Sequence, residues 1–454
     1  MDFPSVIWTR THKGPLKMGD LLLTERETRF TYTEPFRQSG LSGMGLLASP
    51  AIFAEQAVVF RARPAFPIHP RLMAFIPGSN PKNIQRRLYG RILAKREFPP
   101  AAGLATEWEM ALLAGKNGIG HLFLFRDDLE AQRWFEHPAR AAQVLGTRSR
   151  LWKALSQDIA TNQTAFDADD LARLLGPTPS AGGMIPKLLV AIPDQPHWDG
   201  RIAPAGTRTL GETPSVDVLL KVEPAEYQGV VALESLCLEL HRELGFDVPR
   251  FWRRSQEGLN LLAIQRFDRE DGQPVPVESF LSVFASGNQD LNGNDDTHMG
   301  ELAGWLADLG TVANLAIRQT QAEVYRRFLM ALLTGNGDMH LENLSFIGGE
   351  TRTRLSPVYD PAPMRAWPRH NVRSAIPILF EAGKPPAKTI LELGSDYGLS
   401  ENEANDLAGF LLAATEGYLD RVASLSDVPA AQRDILARVV QGERRDLEKQ
   451  LGKR

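Results

Sequence analysis

Gly335-Asn336-Gly337-Asp338-Met339-His340-Leu341-Glu342-Asn343, followed by Tyr359-Asp360, is the stretch on which the reading of this chain turns. Asp338 and Asn343 are five residues apart, and Asp360 comes 17 after Asn343. Phosphoryl transfer needs this set of groups. One carboxylate orients the attacking hydroxyl and takes its proton, while an amide oxygen and a second carboxylate hold Mg²⁺ against the phosphates. Hard oxygen ligands suit Mg²⁺, and a short loop between two elements places them on one face. Gly, Asn and Asp also dominate ordinary turns, so the stretch alone is equally a polar turn after a helix.

Working outward, Lys221 sits in the apolar run Leu219-Leu220-Lys221-Val222, with Glu234 thirteen residues on. A lysine inside an apolar strand is costly unless its ammonium is paired. A strand lysine on the ATP phosphates, braced by a helix glutamate, is the kinase arrangement; an edge-strand lysine facing solvent is the alternative. Before it comes Ser180-Ala181-Gly182-Gly183-Met184-Ile185-Pro186-Lys187. Gly182 and Gly183 let backbone N–H groups approach a phosphate, although a plain proline-bounded turn reads the same way. Gln265-Arg266-Phe267-Asp268-Arg269 closes a strand and is either a hinge offering backbone groups to adenine or a charged strand end. Gly-rich loop, strand lysine, helix glutamate, strand end, catalytic loop and metal aspartate follow one another in kinase order. That joint order points to an ATP-dependent phosphotransferase.

The secondary-structure signals agree. Seven prolines between 176 and 216 separate short elements. Lys187–Ile192, Val216–Val222 and Leu261–Phe267 are short apolar runs of strand type. Val231–Leu244 is helical, with Gly245 suited to its stop. Glu323–Leu333, Glu401–Leu425 and Ala430–Leu451 have helical composition. In the first 150 residues, Asp20–Leu23 and Arg29–Tyr32 read as strands, and Asn83–Leu93 and Glu107–Leu113 as helices.

A length of 454 residues predicts two or three domains. With 43% hydrophobic and 23% charged residues, disorder, collagen and coiled coil are excluded. A single cysteine, Cys237, forbids an internal disulfide and fits a reducing compartment as a small core residue. There is no signal-peptide pattern and no apolar run of about 18 residues, so a cytoplasmic chain with no membrane partner is expected. The histidines show no zinc spacing, so His340 is expected to support the catalytic loop. The net charge of −4 hides an asymmetry: residues 1–150 carry 21 Lys and Arg against 13 Asp and Glu, the rest 30 against 42. Residues 61–96 contain Arg61, Arg63, Arg71, Lys82, Arg86, Arg87, Arg91, Lys95 and Arg96 and no acid. Such a run is a solvated face, a charge complement to the acidic remainder, or a docking surface for an acidic partner or nucleic acid.

These residues resemble the HipA family, the serine/threonine kinase toxins of bacterial type II toxin–antitoxin systems. Gly335–Asn343 matches the family's Gly-Asn-x-Asp-x-His-x-x-Asn loop, and Ser356–Asp360 is similar to its Ala-Pro-x-Tyr-Asp segment. Ile264–Arg269 is similar to its Glu-Arg-Phe-Asp-Arg run, and Ser180–Lys187 matches a Ser-x-x-Gly-x-x-x-Lys loop. Gly19–Tyr32 and Glu107–Leu124 look more loosely like its N-terminal subdomain. The resemblance implies an α+β, two-lobed protein-kinase-like fold with a mixed α/β N-lobe and an all-helical C-lobe. It divides the chain into an N-terminal subdomain (1–150), a kinase N-lobe (151–267) and a C-lobe (268–454).

The roles it implies are Asp338 as catalytic base and Asn343 and Asp360 as Mg²⁺ ligands. Lys221, Glu234, Gln265, Arg266, Phe267, Gly182, Gly183 and His340 contact or support ATP, and Ser180 is the autophosphorylated serine. It implies a helix-turn-helix antitoxin of HipB type as partner, with DNA reached only through it, and a protein substrate such as an aminoacyl-tRNA synthetase. The chain departs from the family at Gln265, often glutamate; at Ser286–His298, rich in Asn, Asp and Gly; and at Gly182, where some relatives have a second serine. Two other readings share the lobe plan: a small-molecule kinase, which needs no serine at 180, and an inactive kinase-like module used in transcriptional regulation, which needs no Asp338, Asn343 or Asp360.

Overall fold

The computed structural model of the chain describes residues 2–79, 83–136 and 185–452. Ser180, Gly182 and Gly183 lie outside the described residues. The chain forms two compact units interleaved along the sequence: residues 1–225, 249–278 and 347–349, and residues 226–248, 279–346 and 350–454. The division expected near 150 falls outside the described residues, and residues 268–278 group with the first unit.

The first unit carries two sheets. One has the order β4-β3-β2-β1-β5 and is built from β1 (Phe3–Thr11), β2 (Gly14–Leu23), β3 (Glu27–Tyr32), β4 (Val58–Arg61) and β5 (Phe123–Phe125). Alternation sets its faces: in β3, Thr28, Phe30 and Tyr32 are buried and Arg29 and Thr31 exposed. The strands expected at 20–23 and 29–32 are the ends of β2 and β3. The second sheet joins β6 (Lys187–Pro193), β7 (Ala203–Pro204), β8 (Thr209–Leu210), β9 (Thr213–Val222), β10 (Phe251–Gln256) and β11 (Leu259–Gln265). Its main order is β10-β11-β9-β6-β7, with β8 paired to β9. The three expected strands are β6, β9 and β11. Every residue of β6 is buried, which is why it reads as a continuous apolar run rather than an alternation.

A shared core joins this sheet to the N-terminal part. Tyr89 and Leu93 of the helix Ile84–Ala94 and Met110 and Ala114 of the helix Leu104–Ala114 pack with Leu188, Val190, Leu220 and Leu261. The basic run is spent locally. Arg86 donates to the Glu107 carboxylate through both Nη atoms and to the Pro77 carbonyl at 2.8 Å. Arg96 pairs with Glu109 at 2.7 Å. Arg71 is buried, and Arg63 lies 4.9 Å from the Phe66 ring centre. Arg86 and Arg96 thus have acids of the following helix as partners, the charge-complement alternative for these two residues of the run.

The second unit is mostly helical. Its main helices are Val230–Glu243, Met299–Leu309, Ile317–Thr334, Pro386–Asp396, Glu401–Ala414 and Ala430–Gln450. It is not wholly helical, since Arg354–Leu355 and most of Ser345–Ile347 add short strands after the loop 335–343. The expected helix 401–425 is two helices, Glu401–Ala414 and Tyr418–Ala423. At the break Thr415 Oγ1 bonds back to the Leu411 carbonyl at 2.8 Å, and Gly417 follows. The turn brings the Tyr418 hydroxyl to the Thr334 carbonyl at 3.0 Å and within 3.6 Å of Cys237 Sγ. Cys237 is buried, and burial pushes its thiol up to about 12, so it is a core residue. No helix among the described residues is long and apolar enough to cross a membrane.

Candidate active site

Gly335 ends the helix Ile317–Thr334 in the left-handed region (φ 81°), and its N–H and that of Asn336 both return to the Ala331 carbonyl. A Cβ there would also lie 2.4 Å from Leu436 Cδ1, so glycine is required twice over. The loop that follows is closed by its own polar groups. Asn336 Oδ1 accepts from Asp338 N at 2.9 Å. The Asp338 carbonyl accepts from His340 N at 2.9 Å and from Asn343 Nδ2 at 2.8 Å. The His340 carbonyl accepts from Asn343 N at 2.9 Å, and His340 Nδ1 from Glu342 N at 3.1 Å. His340 is thus tied into the loop through its own backbone and Nδ1. From outside, Asn294 Oδ1 accepts from Leu341 N at 2.9 Å. Asn294 belongs to the Asn- and Asp-rich segment that departs from the family pattern, so that segment braces the loop.

With Nδ2 engaged as donor, the Asn343 amide keeps Oδ1 as its acceptor, and Asn343 lines a cleft. Asp360 lines the same cleft, together with Asn336, Met339 and Tyr359. It has φ 80°, a left-handed conformation that Asp tolerates better than most residues and that recurs where function fixes a side chain. Tyr359 anchors it: its hydroxyl donates to the Glu342 carbonyl at 2.7 Å and lies 2.5 Å from Ser345 Oγ. Burial pushes the Tyr359 hydroxyl well above its usual range, so it remains protonated and able to donate.

Two more buried groups line the cleft. His241 is held neutral by burial, its pKa lowered to about 4, with Nδ1 2.7 Å from the Cys237 carbonyl. Arg327 donates to the Ser356 carbonyl at 2.7 Å and pairs with Glu323 at 3.2 Å. No group of three or more His, Cys, Asp and Glu able to hold a metal exists among the described residues. The donor set is thus one amide and one carboxylate, which fits Mg²⁺ completed by phosphate oxygens and water rather than an all-protein cage.

Lys221 is on β9, 1% exposed, in the first unit; Glu234, fully buried, is on the helix Val230–Glu243 of the second. The register shows what the sequence reading missed: Lys187 on β6 stands directly opposite Lys221, and both are buried. Like charges on facing positions repel, so each ammonium needs an opposite charge close by. The signal was present in Lys187 opening an apolar run, but the strand register was needed to pair it.

Gln265 ends β11, where its N–H donates to the Arg250 carbonyl at 2.8 Å and its Oε1 accepts from Arg250 Nε at 2.8 Å. Arg266 is buried; its guanidinium bonds Asp268 and the Asn117 and Gly118 carbonyls. Asp268 also pairs with Arg269 and accepts from Gly120 N at 2.7 Å. Burial alone would raise its carboxyl, but Arg266 and Arg269 win and hold it far below the usual carboxylate range. The Arg266 side chain is thus a structural tie, and Phe267 beside it is half-buried.

A family profile described as "HipA-like C-terminal domain" matches residues 179–417, more than half of the chain. The chain belongs to the HipA family. A Haemophilus influenzae protein named "Putative kinase" is 27% identical over 251 residues, covering 49% of this HipA-family chain and 68% of that one. A Sinorhizobium fredii protein named "Putative kinase Y4dM" is 31% identical over 156 residues, 31% of this chain and 36% of that one. Among solved structures, the Shewanella oneidensis MR-1 toxin–antitoxin HipA, from its complex with HipB and operator DNA, aligns with a TM-score of 0.63. It is 15% identical and covers 99% of this chain and 98% of that one. At that identity the likeness concerns the fold, and it agrees with the α+β architecture expected.

Proposed function

We propose that this chain is an ATP- and Mg²⁺-dependent serine/threonine protein kinase acting as the toxin of a toxin–antitoxin system. The observation that carries the reading is the pinned loop: Asn343 Nδ2 held by the Asp338 carbonyl, with Asn343 and Asp360 lining one cleft. In this reading Asp338 accepts the proton as the substrate hydroxyl oxygen bonds to the γ-phosphorus, and the β–γ bridging bond breaks to release ADP. Asn343 Oδ1 and the Asp360 carboxylate would hold Mg²⁺, which supplies neutralisation of charge on the phosphate oxygens. Lys221 and Lys187 oppose the phosphates, with Glu234 as the brace of Lys221. Gln265–Phe267 form the adenine hinge in the same reading, with the Arg266 guanidinium engaged structurally. Gly182 and Gly183 cradle phosphate, and Ser180 is the autophosphorylation site. The division into 1–150, 151–267 and 268–454 belongs to the same proposal. Relatives named as kinases and the HipA likeness support it.

The partner in this reading is a HipB-like antitoxin, through which DNA is reached, and the substrate is a protein such as an aminoacyl-tRNA synthetase. The test is transfer from labelled ATP into a cell lysate with phosphosite mapping. Asp338→Asn keeps the shape and removes the base, and should slow transfer by about 10²–10⁴-fold. Transfer at the wild-type rate by this variant would overturn the assignment.

A further inference from the structure

The segment after Asp360 presses on the catalytic loop through its backbone. A Cβ built on Gly337 would lie 2.2 Å from the Val372 carbonyl oxygen and 3.0 Å from Arg365 Cγ. Residues 365–373 read Arg-Ala-Trp-Pro-Arg-His-Asn-Val-Arg, with three arginines and no acid. Two of the arginines are paired internally: Arg365 Nη1 and Arg373 Nε both donate to Glu443 Oε1, at 2.8 and 2.9 Å.

Arg369 differs from them. Its side chain is 53% exposed, and Glu226 meets it only at 3.5 Å. Its guanidinium lies over the Tyr227 ring, 4.6 Å from the centre, and that ring stands edge-on to Trp367 at 5.6 Å. Arg369 Nε donates to His370 Nε2 at 3.1 Å, and the Tyr227 hydroxyl lies 2.7 Å from the same nitrogen. Burial first, and the Arg369 charge next, lower the His370 pKa and keep it neutral. The guanidinium is thus held by the Tyr227 face and at Nε by His370, while its Nη2 meets Glu226 at 3.5 Å on a side chain that is half exposed. The segment carrying this cluster packs on the loop beside Asp338: the Val372 carbonyl that crowds Gly337 belongs to a residue whose N–H donates to the His370 carbonyl at 2.8 Å.

We propose that Arg369, held by Tyr227 and His370, is the specificity residue of the acceptor site and receives an anionic group that the substrate peptide carries next to the hydroxyl to be phosphorylated. This rests on the kinase reading above. A planar fork with a fixed orientation takes a carboxylate or a phosphate through two parallel hydrogen bonds. The group is either an Asp or Glu side chain or a phosphate already on the peptide. The incoming anion replaces Glu226 at the Nη edge.

The experiment uses labelled serine peptides with Asp, phosphoserine, Asn or Lys flanking the central serine. Binding is measured by fluorescence anisotropy and phosphate transfer from Mg²⁺-ATP, for wild type, Arg369→Gln, Arg369→Lys and Tyr227→Phe. Wild type should favour Asp or phosphoserine over Asn by roughly 3- to 10-fold, less at high salt. Whichever anionic peptide binds tighter identifies the source. Arg369→Gln should abolish the preference, Arg369→Lys should keep part of it, Tyr227→Phe should weaken it, and the KM for ATP should not move. An undiminished preference in Arg369→Gln, or a KM for ATP that rises with the loss, overturns the proposal. Arg369-dependent peptide binding without any phosphate transfer would refute the kinase reading and leave the anion site standing; transfer without that dependence would do the reverse.

Discussion

Gly337→Ala tests how tightly the segment 365–372 sets the catalytic loop. The added Cβ would fall 2.2 Å from the Val372 carbonyl oxygen, and non-bonded contacts are comfortable only near 3.5–4.0 Å. The carbonyl or the loop must therefore retreat by about 1 Å. Neither is easily moved: Arg365 N donates to the Gly335 carbonyl at 3.1 Å, and Arg365 is pinned to the buried Glu443. Overpacking of this kind costs about 1–3 kcal/mol. A misplacement of about 1 Å at a reacting group costs about 10²-fold in rate. The expectation is a kcat for phosphate transfer lower by about 10²-fold with a melting temperature lowered by only a few degrees. Gly90→Ala is the control, because a Cβ there meets nothing within 4 Å inside a helix; it should stabilise by about 0.5–1 kcal/mol. Wild-type kcat in Gly337→Ala would refute the claim that this contact positions Asp338.

Other expectations concern charge and modification. Asp268→Asn removes the carboxylate between buried Arg266 and Arg269 and should cost about 3–5 kcal/mol in urea unfolding. Because the folded Asp268 pKa is depressed, its contribution is present above the ordinary Asp value of about 3.9 and lost as pH falls below it; the variant should therefore show a shallower acid limb. His241 has its pKa lowered to about 4 by burial, so stability should fall as pH drops from about 6.5 toward 4. His241→Gln should flatten that range in pH-dependent unfolding. Ser180 should carry phosphate after incubation with ATP, detected by peptide mass spectrometry; a group of about −1.5 to −2 charge in a phosphate-cradling loop should lower activity. Wild-type phosphate content and regulation in Ser180→Ala would sink that expectation.

What the sequence by itself determined is local. Gly335 as a helix stop, the amide and carboxylate spacing of Asp338, Asn343 and Asp360, and the strands β6, β9 and β11 follow from periodicity and turn chemistry within a few residues. Boundaries moved where a side chain competed for backbone, as Thr415 did in splitting one expected helix into two. The strand Phe3–Thr11 and the helices Met299–Leu309 and Pro386–Asp396 were not picked out. Tertiary structure alone decided which distant partner each charge meets. It put Glu107 on Arg86, so that part of a basic run resembling a docking face is internally neutralised. It set Lys187 opposite Lys221 through strand register, and brought Tyr227 to His370 across 143 residues. Composition carries the sign of a charge but not its neighbour, because pairing depends on how separate elements pack, and packing is fixed by the whole core rather than by any one segment.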